Sequence, residues 1–287
     1  MKRVFMKEFY YTRLECDEQK YYDEILKGLR NNWHVITLYG LKDVDVLMKC
    51  IEAVKYDCVE YFYVNFKCVT WRKYSDYIEY IPEYIFEGEE KEKKVKDVEN
   101  VISMIIDSMP NHTKMTVYDK CLWLHNYIVR HCKYNDEAIK IGMDIKNAYS
   151  IEGVFLERKA VCQGIAMAYR CLCRKIGIES IVVRGNSLKP GDANYERHAW
   201  NIIKAGESSI HVDVTWDMCL TNKDGPIRYD YYFLPDIEMM RDHQYIKYPI
   251  CKNREISMFH YSHTYFTSIE EIKRYVDMQD KRIKRKE

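Results

Sequence analysis

Hydrophobic positions change period along the chain, and each period predicts an element. In "DEQKYYDEILKGLR" (17–30), Tyr22, Ile25, Leu26 and Leu29 share one helical face. "WHVITLY" (33–39) reads as a strand. "DVDVLMKCIEAVKYD" reads as a helix with Val46, Leu47, Ile51 and Val54 inward. "VEYFYVNFKCVTW" (59–71) and "DYIEYIPEYIF" (76–86) alternate on either side of "RKYSD", which predicts a β-hairpin with Pro82 at an edge. The charged run "EGEEKEKKVKDVEN" leads straight into Val98, Val101, Ile102, Ile105 and Ile106, so it reads as the exposed start of a long helix. "SMPNHT" (108–113) breaks that helix, and Val117, Cys121, Leu124 and Ile128 mark the next. Residues 133–149 lack a clean period and are expected to form a surface loop. "ESIVVRG" (179–185), "HAWNIIK" (198–204) and "SIHVDVTW" (209–216) read as strands. Ser268 and Glu271 form a capping-box pattern before a final helix, and "KRIKRKE" is a solvated basic tail.

Composition narrows the class. The chain has 287 residues, 47% hydrophobic and 31% charged, as in an ordinary globular protein. A net charge of +1 gives no general attraction to nucleic acid or anionic membrane, and neither is expected as a partner. No apolar run approaches the ~18 residues needed to span a bilayer. The N-terminus lacks the apolar core of a signal peptide. The 11 cysteines are irregularly spaced without a C-x-x-C, which argues against a disulfide framework or a zinc site of usual spacing. Together these point to the cytoplasm. The 26 tyrosines are read as aromatic packing on half-buried sheets.

"AVCQGIAMAYRCLCRKIG" (160–177) is the stretch with candidate chemistry. Ile165, Tyr169, Leu172 and Ile176 define a helix that ends at Gly177 and begins at Cys162. A helix N-terminus favours an anion, and the reactive form of cysteine is the thiolate. Cys171 and Cys173, inside the helix, lack that advantage. The strands at 198–204 and 209–216 flank "AGES". A four-residue loop at 204–207 makes Ile203 face Ser208, and five residues further along each strand His198 faces Asp213. Their Cβ atoms would then lie about 5 Å apart on one sheet face, with Trp200 and His211 as the next pair. A helix-start cysteine with a histidine and an aspartate paired across strands is the composition of a nucleophile, its base and the group that orients the base.

"AYSIEGVFLERKAVCQGIAMAY", "HAWNII", "HVDVTWD" and "YDYYFLPDIEMMRDHQY" resemble the motif blocks of the transglutaminase-like superfamily, a branch of papain-like cysteine enzymes. The resemblance spans roughly residues 115–245. It implies an α+β fold in which the Cys-bearing helix packs on an antiparallel β-sheet; the elements read before it make a mixed α/β N-terminal region. It matches Cys162 to the nucleophile, His198 to the base and Asp213 to the third member. The chain departs from the large multidomain transglutaminases in having no D-x-D-x-D-type calcium loop. No cofactor is expected.

The expected organisation is an N-terminal region over 1–110 that covers or extends the cleft, a catalytic domain over 111–260, and a C-terminal helix and basic tail over 261–287. The Cys162 N–H is one candidate oxyanion donor, with Gln163 or Tyr149 as candidates for the second. Trp200 and Trp216 are candidate walls for an acyl chain, and His243 in "RDHQ" is a spare histidine given no role in the site. His260 and His263 lack a third metal ligand, and no metal is expected. The implied chemistry is acyl transfer or hydrolysis at a peptide or glutamine-type amide through a thioester, leaning to a cysteine protease or amidase. The alternatives are a protein-glutamine transglutaminase and a non-catalytic peptide-binding module.

Overall fold

The computed structural model describes residues 8–110, 113–141, 146–188, 193–206, 208–222 and 225–252. The capping box at Ser268, the helix after it, the basic tail, His260 and His263 lie outside the described residues. The N-terminal third holds α1 (Cys16–Arg30), β1 (Ile36–Tyr39), α2 (Val44–Asp57), β2 (Thr70–Lys73), β3 (Tyr77–Ile81) and α3 (Gly88–Asp107). Then come α4 (Val117–His131), β4 (Lys133–Tyr134), α5 (Asp136–Ile141), α6 (Ile151–Phe155), β5 (Lys159–Ala160) and α7 (Cys162–Lys175). The rest is β6 (Ser180–Ser187), β7 (Glu196–Ala205), β8 (Ser208–Val212), α8 (Val214–Leu220), β9 (Tyr232–Leu234), α9 (Asp236–Met239) and β10 (His243–Gln244). Among the described residues no helix is long and apolar enough to cross a membrane.

The fold class is α+β. Five antiparallel strands in the order β10-β6-β7-β8-β9 form the main sheet, and α7 packs against β6 and β7. Period-2 alternation divides β7 between two cores. Ala199 and Ile203 join α7, α4 and α3 in the larger one, while Trp200 and Ile202 pack with Val183, Leu234 and Met239 in another. Asn201, fully buried, donates to the Ala166 carbonyl at 3.0 Å and ties the sheet to the middle of α7. A second large core gathers the inward faces of α1, α2, β1 and β3.

The C-terminal end of α2 docks on α7. The Asp57 carbonyl accepts from Arg170 at 3.2 Å and from Arg174 at 3.1 Å. The Asp57 carboxylate accepts the backbone N–H groups of Tyr10 and Tyr11, at 3.1 and 2.8 Å.

Several expectations are corrected. Residues 59–69 are mostly turns, with Val64 making an isolated antiparallel bridge to Tyr84, and the regular hairpin is confined to β2 and β3. Tyr61, Phe62, Tyr63 and Val64 are all buried in succession, so this run has no exposed face with which to alternate as a strand. Pro82 lies one residue beyond β3, which is the central strand of its sheet rather than an edge. Residues 133–149 are not a plain surface loop: they contain β4, α5 and a 3₁₀ turn at Lys146–Tyr149, with Ala138 and Ala148 fully buried.

The 209–216 strand stops at Val212, and Asp213 caps α8 instead. The β7–β8 loop has two residues, not four, so Ala205 faces Ser208 and the register moves by two. Gly206, at φ +61°, supplies the left-handed conformation that so tight a turn demands. A shift of two keeps every side chain on its face, where a shift of one would have reversed it.

Close packing sets the start of α7. A Cβ on Gly164 would lie 2.6 Å from the Ala148 carbonyl oxygen and 2.8 Å from that of Ser150. Both are backbone atoms, so Gly164→Ala is expected to destabilise the protein by about 1–3 kcal/mol. Thermal denaturation checks this; an unchanged midpoint would contradict the close approach.

Candidate active site

Cys162 is the first residue of α7 and is half-buried. Its backbone N–H is among those that a helix start leaves without an intrahelical acceptor. Burial acts to raise its thiol pKa. The hydrogen bond and charge of His198, with a backbone contact at Ala199, outweigh burial and bring the pKa below the usual thiol value.

His198 lies on β7 and is stacked near Trp200, with ring centroids 5.8 Å apart. Its Nε2 meets Asp213 Oδ2 at 2.6 Å, which leaves Nδ1 as the nitrogen available to the thiol. Burial acts to lower the imidazole pKa, but the charge and hydrogen bond of Asp213, and then Cys162, push it up to about 10.

Asp213 is fully buried and uses both oxygens. Oδ1 accepts the N–H groups of Thr215 and Trp216, at 2.9 and 3.0 Å, as the N-cap of α8. Oδ2 faces His198 and also Nε2 of His243, at 3.2 Å. Burial opposes ionisation, yet the two histidines hold the carboxyl well below the usual carboxylate range. The other His243 nitrogen, Nδ1, meets Asp242 Oδ1, and Asp242 Oδ2 accepts from the Tyr231 hydroxyl at 2.6 Å. The residues at 162, 198 and 213 are thus brought together although the expected strand register was off by two. Because Asp213 leaves the sheet as a helix cap, it meets His198 without being its cross-strand partner.

The remaining candidates are placed differently. Gln163 Oε1 accepts from Lys55 Nζ at 3.1 Å and from Tyr56 Oη at 3.2 Å, while Nε2 donates to the Tyr149 carbonyl at 2.8 Å. Its amide therefore bridges α2 to the start of α7. The Tyr149 hydroxyl donates to the Ala138 carbonyl at 3.3 Å. Trp200 is enclosed in the core and donates its Nε1–H to His211 Nδ1 at 3.0 Å, which removes it from any cleft wall. Trp216 packs against His198, His243 and Tyr231, with centroids 6.0, 4.7 and 4.6 Å away.

Tyr56 was not singled out in the sequence. Burial raises its phenol pKa, with further contributions from Tyr248 and Cys162, which puts Tyr56 in the neighbourhood of the thiol. It lies on an ordinary amphipathic helix far from any motif, so no local signal marks it. His243 did carry a signal, as the histidine of "RDHQ".

Among the described residues, two groups of side chains could offer metal ligands, with ligand atoms within 4.8 Å of one another: His198, Asp213 and His243, and His211, Asp236 and Cys251. In the second, the Trp200 donor makes His211 Nδ1 the acceptor, so the proton resides on Nε2 and is donated to Asp236 Oδ1 at 2.9 Å. Asp236 Oδ2 accepts the Cys251 N–H at 2.9 Å. Burial pushes the Cys251 thiol up. This is a hydrogen-bonded bracket between β8 and the segment ending at Cys251, with no lone pair on His211 left for a cation.

Among solved structures, a TGase is similar at 13% identity with a TM-score of 0.38, covering 63% of this chain and 50% of the other. A candidate cysteine protease from Cytophaga hutchinsonii is similar at 14% identity with a TM-score of 0.32, covering 52% of this chain and 61% of the other. The chain thus spans between half and two thirds of their lengths. No curated protein matches the sequence. Residues 107–214, a stretch that contains Cys162, His198 and Asp213, match the family model of the transglutaminase-like superfamily.

Proposed function

We propose that the protein hydrolyses a peptide or glutamine-type amide through a thioester on Cys162. The observation that carries this reading is the continuous contact from the thiol to His198 and on to Asp213 at 2.6 Å. In this reading, Cys162 is held as a thiolate by protonated His198 and attacks the amide carbonyl carbon. The resulting oxyanion is met by the Cys162 N–H at the helix start. His198 gives its proton to the departing nitrogen as the C–N bond breaks, which leaves a thioester and a free amine or ammonia. His198, now neutral, takes a proton from water, whose oxygen attacks the thioester; the acid is released and Cys162 returns. Asp213 holds the His198 ring and stabilises its charged form, and His243 holds Asp213. Residues 111–260 are the catalytic domain in this proposal, with residues 1–110 forming one wall of its cleft.

The test incubates the full chain with a glutamine-bearing protein and a fluorescent primary amine. Hydrolysis is expected to release ammonia or new N-termini without label entering the protein. Label incorporated at glutamine would reassign the enzyme as a transglutaminase. Absence of all three products, with no selective alkylation of Cys162, would defeat the enzymatic reading and leave a binding module.

A further inference from the structure

A cleft of about 450 Å³, counting its open mouth, lies between the end of α2, the turns that follow it and the first two turns of α7. Gln163, the neighbour of Cys162 in sequence, lines it. Phe62, Phe66 and Tyr149 supply aromatic walls. Lys55 and Lys67 supply two ammonium groups, close enough that the charge of Lys55 acts on Lys67. No aspartate or glutamate is among the lining residues.

Among the described residues neither lysine has a carboxylate partner. Lys55 Nζ donates to Gln163 Oε1 and lies 4.9 Å from the Tyr56 ring centroid, and Lys67 Nζ lies over the Tyr149 ring. Enclosing a cation without a counter-charge is unfavourable, and two side by side more so. Burial accordingly lowers both ammonium groups to about 8, with Lys55 adding to the effect at Lys67. An entering anion would relieve both penalties at once. The aromatic walls would meanwhile take the apolar part of a side chain or chain end.

We propose that this cleft receives a carboxylate of the peptide substrate, held between Lys55 and Lys67 beside the Cys162 end of α7. The claim rests on the proposed reaction in naming the bound molecule a substrate. The carboxylate is an acidic side chain or a free C-terminus, and peptides separate the two.

The test is calorimetric titration of the full-length Cys162→Ala protein with acetyl-Ala-Glu-Ala-amide, acetyl-Ala-Gln-Ala-amide and acetyl-Ala-Gln-Ala bearing a free C-terminus. One or both acids are expected to bind about tenfold more tightly than the neutral amide. Lys55→Met with Lys67→Met should make the three peptides equal, and Lys67→Arg should keep the preference. Should the double variant not fold, Lys67→Met alone must still reduce the preference. Equal affinities for the three peptides, or a preference that survives the loss of the lysines, would overturn the proposal. Selective alkylation of Cys162 is measured in parallel on protein with that cysteine intact. Acid preference without selective alkylation defeats the proposed reaction and leaves the anion site standing. Selective alkylation with equal peptide affinities removes the anion site alone.

Discussion

Iodoacetamide at pH 6 is expected to alkylate Cys162 about 10- to 100-fold faster than the exposed thiols Cys16, Cys68 and Cys219. An ordinary thiol of pKa ~8.5 is only about 0.3% thiolate at that pH. Cys162 is lowered and His198 is raised to about 10, so the proposed reaction expects the thiolate–imidazolium pair between those limits. The sign follows for each limb. As pH falls through the lowered Cys162 value, the thiol regains its proton and alkylation slows. As pH rises through about 10, His198 loses its charge and turnover falls, because no proton remains for the leaving nitrogen. Burial raises Cys50, Cys58 and Cys171 to about 12, Cys132 to about 11, and Cys173 and Cys251 further still, so these six should react last. His198→Ala is expected to remove the selectivity and to lower amide turnover by about 10³-fold or more. Mass spectrometry of labelled peptides decides the first point. A Cys162 no faster than Cys16, in a protein indifferent to loss of His198, would end the nucleophile assignment.

The second large effect belongs to Asp213. Asp213→Ala is expected to destabilise the fold by about 3–5 kcal/mol, because it leaves the buried His198 and His243 without their shared carboxylate oxygen and the start of α8 without its cap. Asp213→Asn separates structure from chemistry. Its carbonyl oxygen can still accept from Thr215 and Trp216, but its negative charge is gone. The His198 pKa should then fall from about 10 toward the ordinary value near 6.5, and the ion pair with Cys162 should dissolve at neutral pH. Turnover is expected to drop about 10²- to 10⁴-fold while most of the stability remains. Thermal melts and NMR titration of the imidazole read the two effects separately. An unchanged His198 titration in Asp213→Asn would contradict the coupling.

Much of this site is legible in the amino-acid order, because its elements are local. The apolar period from Ile165 to Leu172 marks α7, and Cys162 at its first position follows from where that period begins. Face-sharing by His198 and Trp200 on β7 follows from the two-residue period of a strand. That is why it survived an error of two residues in the loop. The register itself turned on Gly206 accepting a positive φ, which shortens the turn. The run at 59–66 has the hydrophobic density of a strand, but its burial comes from lying between two cores: Val59 and Phe62 pack with α3 and α7, and Tyr61, Tyr63 and Val64 with α1, α2, β1 and β3.

Three things depended on the folded chain. Periodicity cannot say that Asp213 would leave the sheet and become a cap, since one carboxylate serves either role until the next helix starts beside it. His243 reaches that carboxylate only because β10 closes the far edge of β6. Lys55 and Tyr56 reach Gln163 only because α2 docks on α7, more than a hundred residues away along the chain. Local order thus determined which helix carries the thiol and which face carries the imidazole. Long-range packing decided their partners, because hydrogen bonds and charge depend on distances in space that no spacing along a chain encodes.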